Sequence, residues 1–239
     1  MFQRHPWEVA RFKFFRRVLE DTHVDNGPLH ILDVGSGDAW FANELVMSLA
    51  PGSDCACWDI GYDPDRLPDA FQSSYLRATT ERPSGQFDLI VLLDVAEHVP
   101  DDRAFLADVL ENCARPGSYV LFSVPAWPEL MCSHDQALHH FRRYRPRQAL
   151  ALLEDAGLRV LGSGGAFHGL ILPRAINVLK ERVVGPPAHA VAESLEWRGG
   201  PVLGKIVEAA LAADGAVSRW LARKNRDVPG LSWWALCQK

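Results

Sequence analysis

Paired cysteines, long apolar runs and a surplus of positive charge are all missing from this 239-residue chain. The five cysteines, Cys55, Cys57, Cys113, Cys132 and Cys237, form no C-x-x-C pair and no zinc spacing. That excludes a disulfide framework and a thiolate metal centre and leaves buried thiols in a reducing compartment. No apolar run reaches the ~18 residues of a membrane span, and no basic-then-apolar leader opens the chain, so the expected location is the cytoplasm. A formal net charge of −5 gives no general attraction for nucleic acid. There is no internal repeat and no low-complexity tail. With 48% hydrophobic and 23% charged residues, the composition fits one large domain over residues 1–239.

A further absence is more telling. In the stretch HILDVGSGDAWF, residues 30–41, Ile31, Leu32 and Val34 read as a short buried strand and Gly35-Ser36-Gly37 as a tight turn. Asp38 then caps a helix running to Leu49, which Pro51-Gly52 stops. Glycines let backbone N–H groups come close to a ligand. A dinucleotide fingerprint needs a third glycine for close helix–strand packing, and Trp40 stands there. Asp33, two residues before the turn, repels a pyrophosphate and suits a cation.

This D-V-G-S-G-D-A run resembles the first motif of the class I S-adenosylmethionine (SAM)-dependent methyltransferases, with Ala39 where the family usually has another glycine. SAM carries a sulfonium and an ammonium and no phosphate. The resemblance implies that Asp33, Gly35, Ser36 and Gly37 hold the cofactor. It extends along the chain. Asp54 to Ile60 reads as a second strand with Asp59 at its carboxyl end, where a carboxylate takes both hydroxyls of a ribose. Ile60 is then expected along the adenine, and Asp63 and Asp65 belong to the next turn. Residues Ser74 to Ala78 suit a third strand, after which the family places a residue beside adenine, here Thr79. The run FDLIVLLDV, Phe87 to Val95, reads as a strand buried on both faces. Its end, Asp94-Val95-Ala96-Glu97-His98-Val99, resembles the family's fourth motif and implies that Asp94 and Val95 contact the cofactor. His98 has two readings, a base near the methyl group or a loop-holding residue. A helix from Asp101 to Ala114, the turn Arg115-Pro116-Gly117 and a fifth strand, Ser118 to Val124, follow.

The stretch Ala126 to Tyr144 comes after that strand, on the side where open α/β sheets bind ligands. It is long for a plain connection. It resembles a branch of the type 11/12 methyltransferases in Ser133, His134, Asp135, His140, Phe141, Arg142, Arg143 and Tyr144, with His139 in place of a glycine. An imidazole has the pKa to take a proton from a hydroxyl or amine acceptor. His134 is the first candidate base, with His140 and His98 behind it and Asp135 as an orienting carboxylate. Arg142, Arg143 and Tyr144 are candidates for binding the acceptor. The competing reading is a salt-bridge network that pins a lid. A metal site from His134, Asp135, His139 and His140 lacks a recognised spacing, and no metal is expected.

Around this core, Trp7 to Asp21 reads as an amphipathic helix within an N-terminal segment 1–28. It is either a lid or, as preferred, a helix packed against the sheet with a solvated basic face. After a helix from Pro146 to Ala156 and a sixth strand, Leu158 to Leu161, residues 167–228 form a helical insertion. It holds one helix interrupted at Pro173, a Gly/Pro-rich loop, and a second helix from about Val202 to Arg223. These helices cap the acceptor pocket, meet a lipid surface or make a homodimer. Leu231 to Gln238 is the last strand. The expected fold is a Rossmann-like class I methyltransferase α/β fold, seven-stranded and mostly parallel with the last strand antiparallel, plus extra C-terminal helices. The function implied is SAM-dependent methylation of an oxygen or nitrogen on a small-molecule acceptor. Two rivals stand beside it: a non-catalytic SAM-binding partner protein and a nicotinamide-dependent oxidoreductase.

Overall fold

The structure, a computed structural model, describes residues 4–186, 197, 199–224, 226 and 228–239. Seven strands form one sheet in the order β3-β2-β1-β4-β5-β7-β6. Strands β1 (His30–Val34), β2 (Asp54–Trp58), β3 (Leu76–Thr79), β4 (Phe87–Leu93) and β5 (Ala114–Pro125) pair in parallel. Strand β7 (Ser232–Gln238) runs antiparallel between β5 and β6 (Arg159–Ala166). The expected fold is therefore the one observed.

Alternation along the strands divides the core into two layers. Leu32, Ile90, Leu92, Val120 and Phe122 face α3 (Asp102–Cys113) and α5 (Pro146–Asp155), which bring Leu106, Val109, Leu110, Leu152 and Leu153. On the other face, Ile31, Leu89, Val91 and Leu121 meet α1 (Pro6–Asp21) and α2 (Trp40–Ser48), together with Leu211 of α7 (Pro201–Arg223). Helix α1 buries Phe14, Phe15, Val18 and Leu19 there. A short helix α4 (Ser133–Ala137) and helix α6 (Ile171–Val184) complete the elements used below.

Several boundaries differ from the sequence reading. Helix α2 starts at Trp40 because Ala39 adopts a left-handed φ of 57°. The N-cap is thus Ala39 and not the expected Asp38, whose Oδ1 accepts from the Trp40 amide at 3.1 Å one residue ahead of it. Strand β2 stops at Trp58, before Asp59, and β3 is shifted to end at Thr79. Strand β6 runs on to Ala166, well past Leu161. Gly162, Gly164 and Gly165 hide it, since glycine has little strand preference. Gly165 is required by close backbone approach: a Cβ there would lie 2.2 Å from the Val228 carbonyl oxygen. Pro173 does not interrupt α6, because it falls in the first turn, where its missing N–H has no helical partner to lose. Most of the Gly/Pro-rich loop expected after Val184 lies outside the described residues.

Candidate active site

The carboxyl ends of β1 and β4 lie side by side at the point where the chain order of the sheet reverses, the position at which open α/β sheets take ligands. The glycine turn occupies it. Gly35 and Gly37 have φ of 67° and 55°, and the Gly35 amide donates to the Trp58 carbonyl at 2.7 Å. A Cβ on Gly35 would meet Val95 Cγ2 at 2.8 Å, so glycine is required where the two strand ends converge.

Three carboxylates mark this end of the sheet. Asp33 is only 5% exposed; burial pushes its carboxyl up to about 7, the Arg11 guanidinium working against that and Asp59 with it. Asp59 is fixed by two backbone amides, accepting from Gly37 at 2.9 Å and from Gly61 at 2.8 Å. Asp94 has a left-handed φ of 57°. It accepts from Ser123 Oγ at 3.1 Å and pairs with Arg11 at 2.7 Å. Ser36 and Tyr62 share a hydrogen bond of 2.7 Å.

Two cavities flank the turn. One of about 250 Å³ is lined by Asp33, Gly35, Ser36 and Gly37 together with Glu8 and Arg11 of α1. The other, about 380 Å³, lies over the ends of β1 and β2, between Asp59, Ile60, Trp58, Asp94, Val95 and Phe105. Ile60 is 86% exposed along its wall. Thr79 does not point a spare hydroxyl into it; its Oγ1 donates to the Glu81 carbonyl at 2.7 Å.

A third cavity, about 470 Å³, lies beyond β4 and β5, under α4 and the C-terminal helices. His98, His134, Asp135, His140 and Arg143 line it with Asp94, and Leu170, Val207 and Leu211 give it apolar walls. Asp135 is the hub. Its Oδ1 accepts from Arg143 Nη2 at 2.7 Å and lies 3.2 Å from His140 Nδ1. Its Oδ2 accepts from Arg174 Nη2 at 2.6 Å and the Cys132 amide at 2.9 Å. Burial alone would raise this carboxyl; the bonds from His140 and Arg143 and the Arg174 charge hold it well below the ordinary range. His98 stacks edge-on against His140 with ring centroids 4.5 Å apart. Burial, and then His140, push its imidazole below its usual pKa.

The structure thus gathers His98, His134, Asp135, His140 and Arg143 into one chamber and leaves two expected partners outside it. Arg142 pairs with Asp102 at 2.9 Å and donates to the Pro100 carbonyl. The Tyr144 hydroxyl donates to Asp102 at 2.7 Å. Both side chains pin the loop to the start of α3. His139 takes the left-handed φ of 59° that the usual glycine would adopt, so the turn survives the replacement.

The sequence reading preferred a packed helix to a lid for α1. Its basic residues read as a solvated face, yet Glu8 and Arg11 line the cavity by the glycine turn. It also passed over Glu97. That side chain is wholly buried at the wall of the third cavity, and neither carboxyl oxygen has a hydrogen-bond partner in another described residue. Polar residues at helical spacing beside Trp7 were the available signal for the first. For the second there was only the E-H pair itself.

Comparison with known proteins fits this arrangement. The sequence model of a family described as a methyltransferase domain matches residues 8–162, and the chain belongs to that family. It is a methyltransferase with the Rossmann-like class I fold. Among curated relatives, the ubiquinone biosynthesis O-methyltransferase of Pectobacterium atrosepticum is 25% identical over 170 residues, 60% of this chain and 68% of that protein. Its namesake from Pseudoalteromonas translucida is also 25% identical, over 57% of this chain and 66% of the relative. The chain thus spans about two thirds of the length of these relatives. In fold, a SAM-dependent methyltransferase from Archaeoglobus fulgidus superposes with a TM-score of 0.55 at 13% identity, covering 95% of this chain and 94% of that one.

Proposed function

We propose that this enzyme moves the methyl group of SAM to an oxygen or nitrogen of a small organic acceptor bound in the third cavity. The observation that carries this reading is the sharing of walls. Gly35 belongs to both cavities at the glycine turn, and Asp94 and His98 belong both to the cavity over β1 and β2 and to the one under α4. A donor lying across the turn therefore has its reactive centre beside the acceptor chamber.

In this reading the ammonium of the donor sits against Asp33, with Gly35, Ser36 and Gly37 framing the amino-acid end and Arg11 near its carboxylate. Asp59 takes the ribose hydroxyls in exchange for the Gly37 amide. The adenine lies along Ile60 between Trp58 and Phe105, and Asp94 and Val95 close its inner side. Methyl transfer from a sulfonium is an in-line displacement that depends mainly on positioning. The acceptor's heteroatom attacks the methyl carbon, the sulfur keeps the electron pair of the broken bond, and S-adenosylhomocysteine leaves. The acceptor's proton goes to an imidazole of the chamber, His134 first, while Asp135 fixes the ring of His140 and Arg143 holds Asp135. The name of the curated relatives favours oxygen over nitrogen. Leu170, Val207 and Leu211 in the chamber wall support the cap role of the C-terminal helices over a dimer or lipid contact.

The test is a screen of phenols, aliphatic alcohols and amines for production of S-adenosylhomocysteine, repeated with His134→Ala on any acceptor found. The reading expects turnover with at least one hydroxyl or amine class, and a loss of roughly 10²–10⁴ in rate in the variant with SAM affinity kept. Full activity in the variant would leave His134 a wall residue only.

A further inference from the structure

Glu97 is an anomaly in the acceptor chamber. A fully buried carboxyl without a partner is costly, and this one sits at the inner wall of the chamber, beside two imidazoles. One ligand atom each from Glu97, His98 and His140 lies within 4.8 Å of the others. Among the described residues no other such cluster occurs.

The surroundings of His140 are those of a metal ligand. A ligating histidine characteristically gives its second ring nitrogen to a carboxylate or a backbone carbonyl, which fixes the tautomer and aims the other nitrogen. His140 does the first, with Nδ1 3.2 Å from Asp135 Oδ1, and His98 packs edge-on against its ring. The other ring nitrogen of His140, an imidazole nitrogen of His98 and the Glu97 carboxyl are then the three donors. Arg143 and Arg174 in turn hold the carboxylate behind His140. Atoms around a four-coordinate zinc lie about 3.3 Å apart, so roughly 1 Å of side-chain movement brings the three donors to one ion.

We propose that Glu97, His98 and His140 form a binding site for a borderline divalent cation such as Zn²⁺, with open coordination positions facing the acceptor chamber. Two imidazoles and a carboxylate suit Zn²⁺ or Fe²⁺ and discriminate against Mg²⁺, which prefers an all-oxygen shell. The site rests on the placement of the acceptor proposed above and narrows it to groups that bind such an ion, a phenol or catechol oxygen ahead of an amine. Coordination lowers the pKa of the bound hydroxyl. Its proton leaves to His134, the chamber imidazole outside the ligand set. The resulting oxyanion forms the new bond to the methyl carbon as the carbon–sulfur bond breaks toward sulfur. The cation keeps its oxidation state throughout.

The experiment is calorimetric titration of the tag-free, chelator-stripped protein with Zn²⁺ and, separately, Mg²⁺, beside the variants Glu97→Gln, His98→Asn and Asp135→Asn. Each variant is checked by thermal melting, and SAM is titrated into the same preparations. The proposal expects one Zn²⁺ per chain in wild type and no Mg²⁺ binding. It expects at least tenfold weaker Zn²⁺ binding in Glu97→Gln and in His98→Asn, and a loss of 10- to 100-fold in a folded Asp135→Asn protein, which weakens the support behind His140 together with the Arg143 and Arg174 pairs. Zn²⁺ binding that is absent in wild type, or unchanged in a folded Glu97→Gln or His98→Asn protein, overturns it. If Glu97→Gln does not fold, His98→Asn decides. SAM binding reports on the donor site separately, so failure of the cation site and failure of the functional reading give different patterns.

Discussion

Arg11 of α1 reaches across to Asp94 at the end of β4 and holds its carboxylate at 2.7 Å. This one pair ties the N-terminal helix to the loop that divides the cavities at the glycine turn from the one under α4. It also places a cation near the buried Asp33, whose carboxyl it helps to ionise. The lid reading and the packed-helix reading of α1 are therefore not alternatives. Its apolar face is core, and its polar edge is wall. Removing the guanidinium with Arg11→Ala should weaken SAM binding by roughly 1.5–3 kcal/mol, the range for a hydrogen bond to a charged group, while α1 stays packed. Calorimetry with a melting curve checks both halves, and an unchanged dissociation constant would reduce Arg11 to a structural residue.

Asp33 gives the site a pH dependence whose sign can be worked out. Its folded pKa, pushed up to about 7, lies above the ordinary carboxyl value of 3.8. The folded protein therefore holds this proton more tightly than the unfolded chain does. The resulting stabilisation is full below about pH 4 and is lost as pH rises toward 7, a swing of about 4 kcal/mol. A cationic donor reverses the preference by favouring the carboxylate. SAM binding should thus release a proton below pH 7, and affinity should climb between pH 6 and 8 and then level off. Titrations in buffers of different ionisation enthalpy measure that proton directly. Asp33→Asn should be more stable than wild type at pH 8, with its SAM binding weakened and no longer linked to pH.

Asp59 is already engaged by the Gly37 and Gly61 amides, so it is positioned before any ribose arrives. Asp59→Ala should weaken SAM binding by roughly 1.5–3 kcal/mol, the range of a lost charge-assisted hydrogen bond. The same affinity in a folded variant would remove it from the ribose role.

Asp135 answers to two buried or half-buried guanidiniums, Arg143 and Arg174, besides His140. Truncation to alanine strands those charges and should cost about 3–5 kcal/mol in urea unfolding. Tyr144→Phe, by contrast, removes one hydrogen bond to Asp102, outside the chamber. It should cost about 1 kcal/mol in stability and leave the acceptor KM alone. A large change in KM would return Tyr144 to the acceptor site.

How much of this was legible in the sequence depends on whether a feature is local. Strands β1 and β4 could be read because they are near-continuous apolar runs buried on both faces, and the turn at Gly35 because its glycines and Asp33 are neighbours in the chain. Strand β6 escaped because its glycines are chosen for backbone approach, not for strand preference. Within the chamber, His134 and Asp135 stood out as a pair. The geometry instead joins Asp135 to His140 and to Arg174 on α6, far along the chain. Glu97 was quoted in its motif without a role, since its burial and its proximity to His140 arise only when β4 and the loop after β5 pack together. Arg142 and Tyr144 looked like Arg143, and only packing against Asp102 separates them.

The most direct measurement is a calorimetric titration of the purified protein with SAM, S-adenosylhomocysteine and NAD at pH 6, 7 and 8. Micromolar binding of the first two, strengthening with pH, and none of the third is the result expected from a donor site built on Asp33, the Gly35 turn and Asp59. Tighter binding of NAD, or no binding of SAM at any pH, would contradict it.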